Sequence, residues 1–260
     1  ITHAHEDHIG AMPYFFKEFQ FPIYATPLPL GMISNKFEEH GLKAERSYFR
    51  PVQKRQLYQI GDFEVEFIHI THSIIDASAL AITTKAGTII HTGDFKIDHT
   101  PIDGYPTDLN RLAYYGDRGV MLLMSDSTNS HKEGITKSES SVGKTFDTIF
   151  SSCKGRVIMS TFSSNIHRVY QAIERGVKYG RKVCVIGRSM ERNLYTAMEL
   201  GYIQLDKKIF IDANEVGKFK DNEVLIVTTG SQGETMSALY RMATDEHKYI
   251  KIKSTDQIII

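Results

Sequence analysis

The stretch His3-Ala4-His5-Glu6-Asp7-His8 stands at the end of what reads as a strand closing on Ile1 and just before an apolar helical pattern over residues 10–18. In an extended segment side chains alternate with a period of two, so His3 and His5 point the same way and both imidazoles can reach one metal ion. Asp7 and His8 fall where the chain turns toward the helix, offset enough to serve a second ion. Imidazoles and carboxylates crowded into six residues repel on protonation, whereas a divalent cation neutralises them. A lone histidine is more often a surface or packing residue, so His40, His69, His99, His131 and His247 are assigned no metal role.

A loop motif needs remote ligands to close its shell, and two lie at expected strand ends. His72, in Thr71-His72-Ser73, follows a strand over residues 63–70. Asp94, in His91-Thr92-Gly93-Asp94-Phe95-Lys96, follows one over residues 88–92. A carboxylate can bridge two cations and an imidazole cannot, so Asp94 is the expected bridge and His72 the third imidazole of the first ion. His91, inside the strand, reads as support or packing.

With 260 residues, 41% hydrophobic and 24% charged, the chain has the composition of a soluble globular protein of one large domain or two modest ones. No run approaches the ~18 apolar residues of a membrane span, and no signal peptide opens the chain, so a cytoplasmic location is expected. Cys153 and Cys184 are the two cysteines, which argues against a disulfide framework and excludes a structural cysteine zinc site. Lys plus Arg and Asp plus Glu balance at 31 each, so a nucleic-acid substrate would need a locally basic groove. A start without Met and an end at Ile258-Ile259-Ile260, in mid-strand, read as truncations of a longer protein.

The first half predicts short strands over residues 22–25, 63–70, 79–84, 88–92 and 120–125, a helix over 28–40, and a hairpin turn at Lys85-Ala86-Gly87. From about residue 140 the rhythm becomes strand, helix, strand, helix. Strands are expected over 156–160, 182–186 and 223–228, with helices over 165–179, 191–200 (Gly201 as C-cap) and 235–243. That is a parallel, doubly wound α/β pattern, in which strand ends carry binding loops. The polar stretch 126–141 is the natural boundary, giving domains of residues 1–138 and 139–260.

The segments 2–10, Thr71-His72-Ser73 and 91–96 resemble successive motifs of the metallo-β-lactamase superfamily. Ser125-Asp126-Ser127-Thr128-Asn129, Thr161-Phe162-Ser163-Ser164-Asn165-Ile166-His167-Arg168, Gly187-Arg188-Ser189-Met190 and Thr229-Gly230-Ser231-Gln232-Gly233-Glu234 narrow the resemblance to its β-CASP branch and the bacterial ribonuclease J family. The resemblance implies an αββα metallo-β-lactamase fold, N-terminally truncated, with an inserted and partly present β-CASP α/β domain. It also implies roles: His3, His5 and His72 on one zinc, Asp7 and His8 on the other, and Asp94 between them. Asp126 matches an acidic residue beside the active site, whose alternative reading is a turn or helix cap. Asp7, Asp94 and Asp126 are thus the expected catalytic carboxylates.

Three departures stand out. Ile75 occupies a usual proline position, which implies a less rigid loop around His72; Ala77 replaces a usual serine. Histidines of the family's last β-CASP strands, one of them a ligand of the second zinc, would lie beyond Ile260.

Two cations, zinc or alternatively manganese, lower the pKa of a shared water and clamp a phosphate oxygen during in-line attack, so hydrolysis needs no side-chain nucleophile. The function implied is hydrolysis of single-stranded RNA, from the 5′ end, internally or both, in mRNA decay and rRNA processing. The protein would act as a homo-oligomer or with a ribonuclease J paralogue. Ser163, Ser164 and Asn165, where a strand enters a helix, suit an anion, and Ser231-Gln232-Gly233 repeats the arrangement; ordinary N-capping explains them equally. Arg168, Arg188 and Lys96 would face the RNA backbone or solvent. Two competing readings are a small-molecule hydrolase, disfavoured by the β-CASP-like half, and a weakly active or non-catalytic RNA-binding subunit that scaffolds a paralogous nuclease.

Overall fold

The computed structural model describes residues 1–42 and 47–260, which fall into two units, Ile1–Ser138 and Glu139–Ile260. In the first, the histidine motif is divided between two conformations. Residues 2–5 run beside a strand edge, the Thr2 carbonyl accepting the Ser78 N–H at 2.9 Å. The chain then coils into α1 (Glu6–Ile9), capped by extended His5, and α2 (Met12–Glu18). The helix expected over residues 10–18 begins at residue 12 as α2, and α1 is an additional short helix before it, in which Asp7 and His8 are already helical. Glu6 and Asp7 in the first turn favour a helix start through the backbone dipoles, and Pro13 in the first turn of α2 suits a second start.

Next come β1 (Ile23–Ala25), α3 (Pro27–Glu39), β2 (Phe49–Pro51), β3 (Leu57–Ile60), β4 (Phe63–His69), β5 (Ser78–Thr84), β6 (Gly87–His91), α4 (Leu109–Arg118) and β7 (Leu122–Met124). The main sheet has the order β3-β4-β5-β6-β7. It is an antiparallel meander through β6, and β7 adds in parallel. β1 and β2 form a separate parallel pair. Thr84 pairs with Gly87, so the turn at Lys85-Ala86 has two residues. Val52, Val65 and Phe67 form the buried centre of one core cluster, against which Tyr58, Ile60, Leu80 and Ile82 pack. Glu66 on β4 is fully buried, yet its carboxylate accepts two bonds from Arg111 (2.6 and 2.5 Å) and one from the Tyr115 hydroxyl (2.6 Å), which fastens α4 to the sheet.

The second unit contains α5 (Ser141–Ser152), β8 (Val157–Ser160), α6 (Ile166–Lys178), β9 (Lys182–Ile186), α7 (Arg188–Glu199), β10 (Val224–Thr228), α8 (Ala238–Ala243) and β11 (Gln257–Ile259). Its sheet is wholly parallel in the order β11-β8-β10-β9. β8 and β10 are buried along their whole length, as continuous apolar runs in a sheet covered on both faces must be. Helix α7 starts at residue 188 rather than 191, after Gly187 turns at φ +124°. Helix α8 starts at 238 rather than 235, because the Ser237 hydroxyl accepts the Tyr240 N–H. Gly201, at φ +80°, closes α7, its N–H and that of Tyr202 bonding the Met198 and Ala197 carbonyls. Among the described residues no helix is long and apolar enough to cross a membrane.

Strand β11 is held on the sheet edge by a buried ion pair. Arg156, 4% exposed, donates to both oxygens of Asp256 (2.8 and 2.5 Å) and to the Lys251 carbonyl (2.7 Å). Asp256→Ala leaves that guanidinium buried without a carboxylate, so we expect a loss of about 3–5 kcal/mol in denaturant unfolding of the second unit. The double variant Arg156→Met, Asp256→Leu should recover most of it; a single variant as stable as wild type would show the pair to be dispensable.

Candidate metal centre

In the meander, β4 and β6 run parallel to each other with β5 between them, so their C-terminal ends lie at one sheet edge. His72 follows β4 and Asp94 follows β6. A bridge between Thr71 and Lys96 stitches the two turns together, the Lys96 N–H donating to the Thr71 carbonyl at 2.9 Å. The Asp94 turn also approaches the start of the motif closely. Gly93 sits at φ +59°, and a Cβ there would lie 3.0 Å from Thr2 Cβ and 3.2 Å from the Ser78 carbonyl oxygen.

The result is two donor groups, His3, His5, His72 and Asp94 in one and Asp7, His8 and Asp94 in the other, each with ligand atoms within 4.8 Å of one another. In the first, His5 Nδ1 and His72 Nε2 are 3.0 Å apart, and Asp94 Oδ2 lies 3.9 Å from His3 Nε2 and 4.0 Å from His72 Nε2. Two nitrogens each about 2.0–2.1 Å from a tetrahedral zinc are separated by roughly 3.3 Å. In the second, His8 Nε2 is 3.4 Å from Asp94 Oδ1 and 3.6 Å from Asp7 Oδ2. The Asp7 side chain is 78% exposed, so this group is the more open.

One atom tests whether these residues fit a cation. His3 is fully buried, its Nδ1 lies 3.1 Å from the Thr2 hydroxyl, and its Nε2 has no hydrogen-bond partner. A buried nitrogen lone pair without a partner is costly unless something accepts it, and this one is directed into the donor group. Burial, reinforced by His8, His72 and His5, pushes the His3 pKa down to about 2. Burial and His5 push His72 down to about 4. Burial lowers His5 as well, although Asp7 and Asp94 pull it back. Neutral imidazoles are the form that ligates, and a set of imidazoles and carboxylates suits a divalent cation.

Asp126 follows β7 and acts on the Asp94 turn. Its Oδ2 accepts the Phe95 N–H at 3.4 Å and its own N–H donates to the Thr92 hydroxyl at 3.0 Å. Burial alone would raise its carboxyl, but the N–H groups of Thr128 and Phe95 hold it below the usual carboxylate range. His91 supports the same turn, its Nδ1 accepting the Gly93 N–H at 3.0 Å. Sequence reasoning passed over Ser73, whose hydroxyl is 3.4 Å from His5 Nε2, and Thr92, whose hydroxyl donates to the Gly93 carbonyl. Both sit inside the quoted motifs, so their positions were the available signal.

In the second unit, Ser163, Ser164 and Asn165 follow β8, Arg188 follows β9, and Ser231 follows β10. Asn165 caps α6, its side chain accepting the Arg168 N–H at 3.2 Å. Arg168 is paired with Glu139 at 2.6 Å. Arg188 is exposed on the first turn of α7 and Ser231 is half-buried.

Comparison with known proteins agrees with this architecture. Residues 1–142 match the metallo-beta-lactamase superfamily and residues 154–260 match the beta-CASP domain of ribonuclease J. Ribonuclease J of Helicobacter pylori (strain B128) is 72% identical over all 260 residues, which cover 38% of that protein. The chain belongs to the ribonuclease J family of the metallo-β-lactamase superfamily. Other ribonuclease J proteins are 44% identical in Synechocystis sp. and 42% identical in Thermus thermophilus, each over the whole chain and over 41% and 46% of the relative. The chain thus spans less than half the length of these ribonuclease J relatives. A crystal structure of a protein of unknown function from Enterococcus faecalis V583 shares the fold, with a TM-score of 0.60 at 16% identity over 92% of this chain and 65% of that one. Membership of the superfamily implies divalent metal binding, and in this ribonuclease J-family chain the donors converge at the sheet edge of the first unit.

The lowered imidazole pKa values fix a pH dependence. Below its ordinary value of 6.5 each histidine is protonated in the unfolded chain, but in the folded chain only below its depressed value. The unfolded state therefore binds more protons in that interval, and stability falls as the pH drops from about 6.5 toward 4. We expect the thermal midpoint of the metal-free protein to decline over that range and His72→Gln to make the decline shallower. An unchanged slope in the variant would exclude His72 as a contributor.

Proposed function

We propose that this chain carries the metal-binding part of a ribonuclease that hydrolyses phosphodiester bonds of single-stranded RNA with two divalent cations, zinc or alternatively manganese. The observation that supports it most directly is Asp94, one carboxylate with its two oxygens turned to different donor groups, Oδ2 to His3 and His72 and Oδ1 to His8. A carboxylate so placed would serve both donor groups at once, one oxygen to each, whereas a neutral imidazole has a single lone pair to offer.

Divalent cations held there by His3, His5, His72, Asp7, His8 and Asp94 would supply Lewis-acid activation of water and neutralisation of phosphate charge. The chain's own residues supply the frame. His3, His5 and His72 hold the buried side. Asp7 and His8 hold the open side, where a phosphodiester can approach. Asp126, through the Phe95 N–H and the Thr92 hydroxyl, keeps Asp94 in place.

RNA contacts are assigned to the strand-end loops of the second unit, with Ser163, Ser164, Arg188 and Ser231 offered to the backbone, and Asn165 and Arg168 shaping the entry to α6. The ribonuclease J relatives support the RNA substrate. Cleavage from the 5′ end or internally, action in the cytoplasm, and assembly with a second ribonuclease J subunit are part of the same proposal. The scaffold reading rested on Ile75 and Ala77 loosening the His72 loop. Both side chains are buried, at 5% and 0% exposure, and this packing favours the catalytic reading.

Replacing Asp94 by Asn keeps the shape and removes the charge that holds two cations together. In the full-length protein we expect Asp94→Asn to lower cleavage of a 5′-monophosphorylated RNA by about 100-fold or more, while RNA affinity, set by phosphate contacts elsewhere, changes by only a few-fold. Metal content by elemental analysis should fall in parallel. Equal losses in binding and cleavage would assign Asp94 a structural role and contradict the proposal.

A further inference from the structure

The loop of residues 70–77 carries His72 between β4 and β5, and its penultimate residue is unusual. Asp76 has a left-handed backbone at φ +67°, uncommon outside glycine, and its side chain is only 10% exposed. One carboxylate oxygen pairs with Lys54 Nζ at 3.1 Å. The other accepts the Leu28 N–H at 3.4 Å. The Asp76 carbonyl accepts the Thr26 hydroxyl at 2.9 Å.

Thr26 is the N-cap of α3, yet its hydroxyl makes no bond to its own helix. Thr26 and Asp76 have exchanged tasks. A carboxylate 48 positions along the chain serves the helix N-terminus, where free N–H groups and the positive end of the backbone dipole favour an anion. The threonine hydroxyl in return holds the loop. Lys54 continues the chain of contacts, with Nζ 2.8 Å from His69 Nδ1, and His69 Nε2 lies 2.8 Å from the Tyr105 carbonyl. Further along α3, Lys36 Nζ lies 2.7 Å from Glu6 Oε1 in the histidine motif. One helix is thereby tied both to α1, which carries Asp7 and His8, and to the loop that carries His72.

We propose that Asp76 is a positioning residue for His72: by capping α3 and pairing with Lys54 it fixes the loop so that the imidazole stands ready beside His3, His5 and Asp94. The inference rests on reading that cluster as a metal centre. On its other flank His72 is already fixed by Thr71, which joins the Asp94 turn through Lys96 and whose N–H donates to the Thr107 hydroxyl at 2.9 Å. Asp76 supplies the corresponding polar anchor on the near side of β5.

The test uses the full-length protein, Co2+ as the probe, and two variants. Asp76→Gly accepts the left-handed backbone and removes both side-chain contacts. Asp76→Asn keeps the acceptor for Leu28 and tolerates the backbone. Loss of a group bonded directly to a metal ligand weakens binding by about 10–100-fold, and Asp76, which acts on His72 through the loop, belongs at the lower end of that range. We therefore expect Asp76→Gly to reduce Co2+ affinity by about 10-fold and to shift the visible absorption of the bound ion, with Asp76→Asn, which keeps the Leu28 acceptor but loses the Lys54 contact, falling between the glycine variant and wild type in both. Lys54→Met, in case the glycine variant does not fold, should weaken Co2+ binding in the same direction. A glycine or Lys54→Met variant with wild-type affinity and spectrum, differing only in thermal midpoint, overturns the inference. Absence of Co2+ uptake by the wild type overturns the metal-centre reading itself, and this inference with it.

Discussion

The first unit is organised around the convergence of three imidazoles and a carboxylate, with His3 fully buried at the inner end of the group. Unprotonated rings at such short range cannot all satisfy one another, and His3 Nε2 is left without a partner. A divalent cation of the kind the superfamily implies would resolve the conflict, and the polypeptide is arranged to hold the donors together. The extended motif segment meets the start of β5 through the Thr2 carbonyl. The meander delivers His72 and Asp94 to one edge, and Gly93 lets the Asp94 turn close to within contact of Thr2. The parallel addition of β7 to β6 brings Asp126 to the same edge. The ends of three strands therefore supply what the motif alone lacks.

The second unit follows another logic. Its parallel sheet leaves loops at the carboxyl ends of β8, β9 and β10, the positions where such sheets bind ligands. Local bonding divides those loops by task. Asn165 is committed to capping α6 and Arg168 to Glu139, while Arg188 stays exposed on α7. Polar residues at a helix entry thus serve the helix first, and only those left over are available to a ligand.

Most of the centre was legible in the sequence because its donors are of a kind and density that packing does not require. Period two placed His3 and His5 together, and strand ends singled out His72 and Asp94. What escaped was the local conformation of the motif, which coils one turn earlier than expected under the influence of Glu6 and Asp7. The short strands β2 and β3 carry too few residues for alternation to show, and α4 depends on Glu66, buried on β4 and 45 positions from Arg111. Asp76 escaped for a similar reason. Its task as a cap is visible only once Leu28 lies beside it, and Thr26, with the residue type of an ordinary N-cap, advertised the local solution.

The spacing of the donors along the chain bears on synthesis. His5 and His72 are 67 positions apart, and at about 5–20 residues per second a ribosome exposes the motif several seconds before its partner emerges. Closing a loop of that length carries an entropic cost that rises with the logarithm of its length, and pairing of β4 to β6 is what meets it. A cation that meets the nascent chain early finds only the local cluster of His3, His5, Asp7 and His8. His72 and Asp94 join that cluster only once β4, β5 and β6 have been made and have paired, so the donor set is complete only in the folded meander.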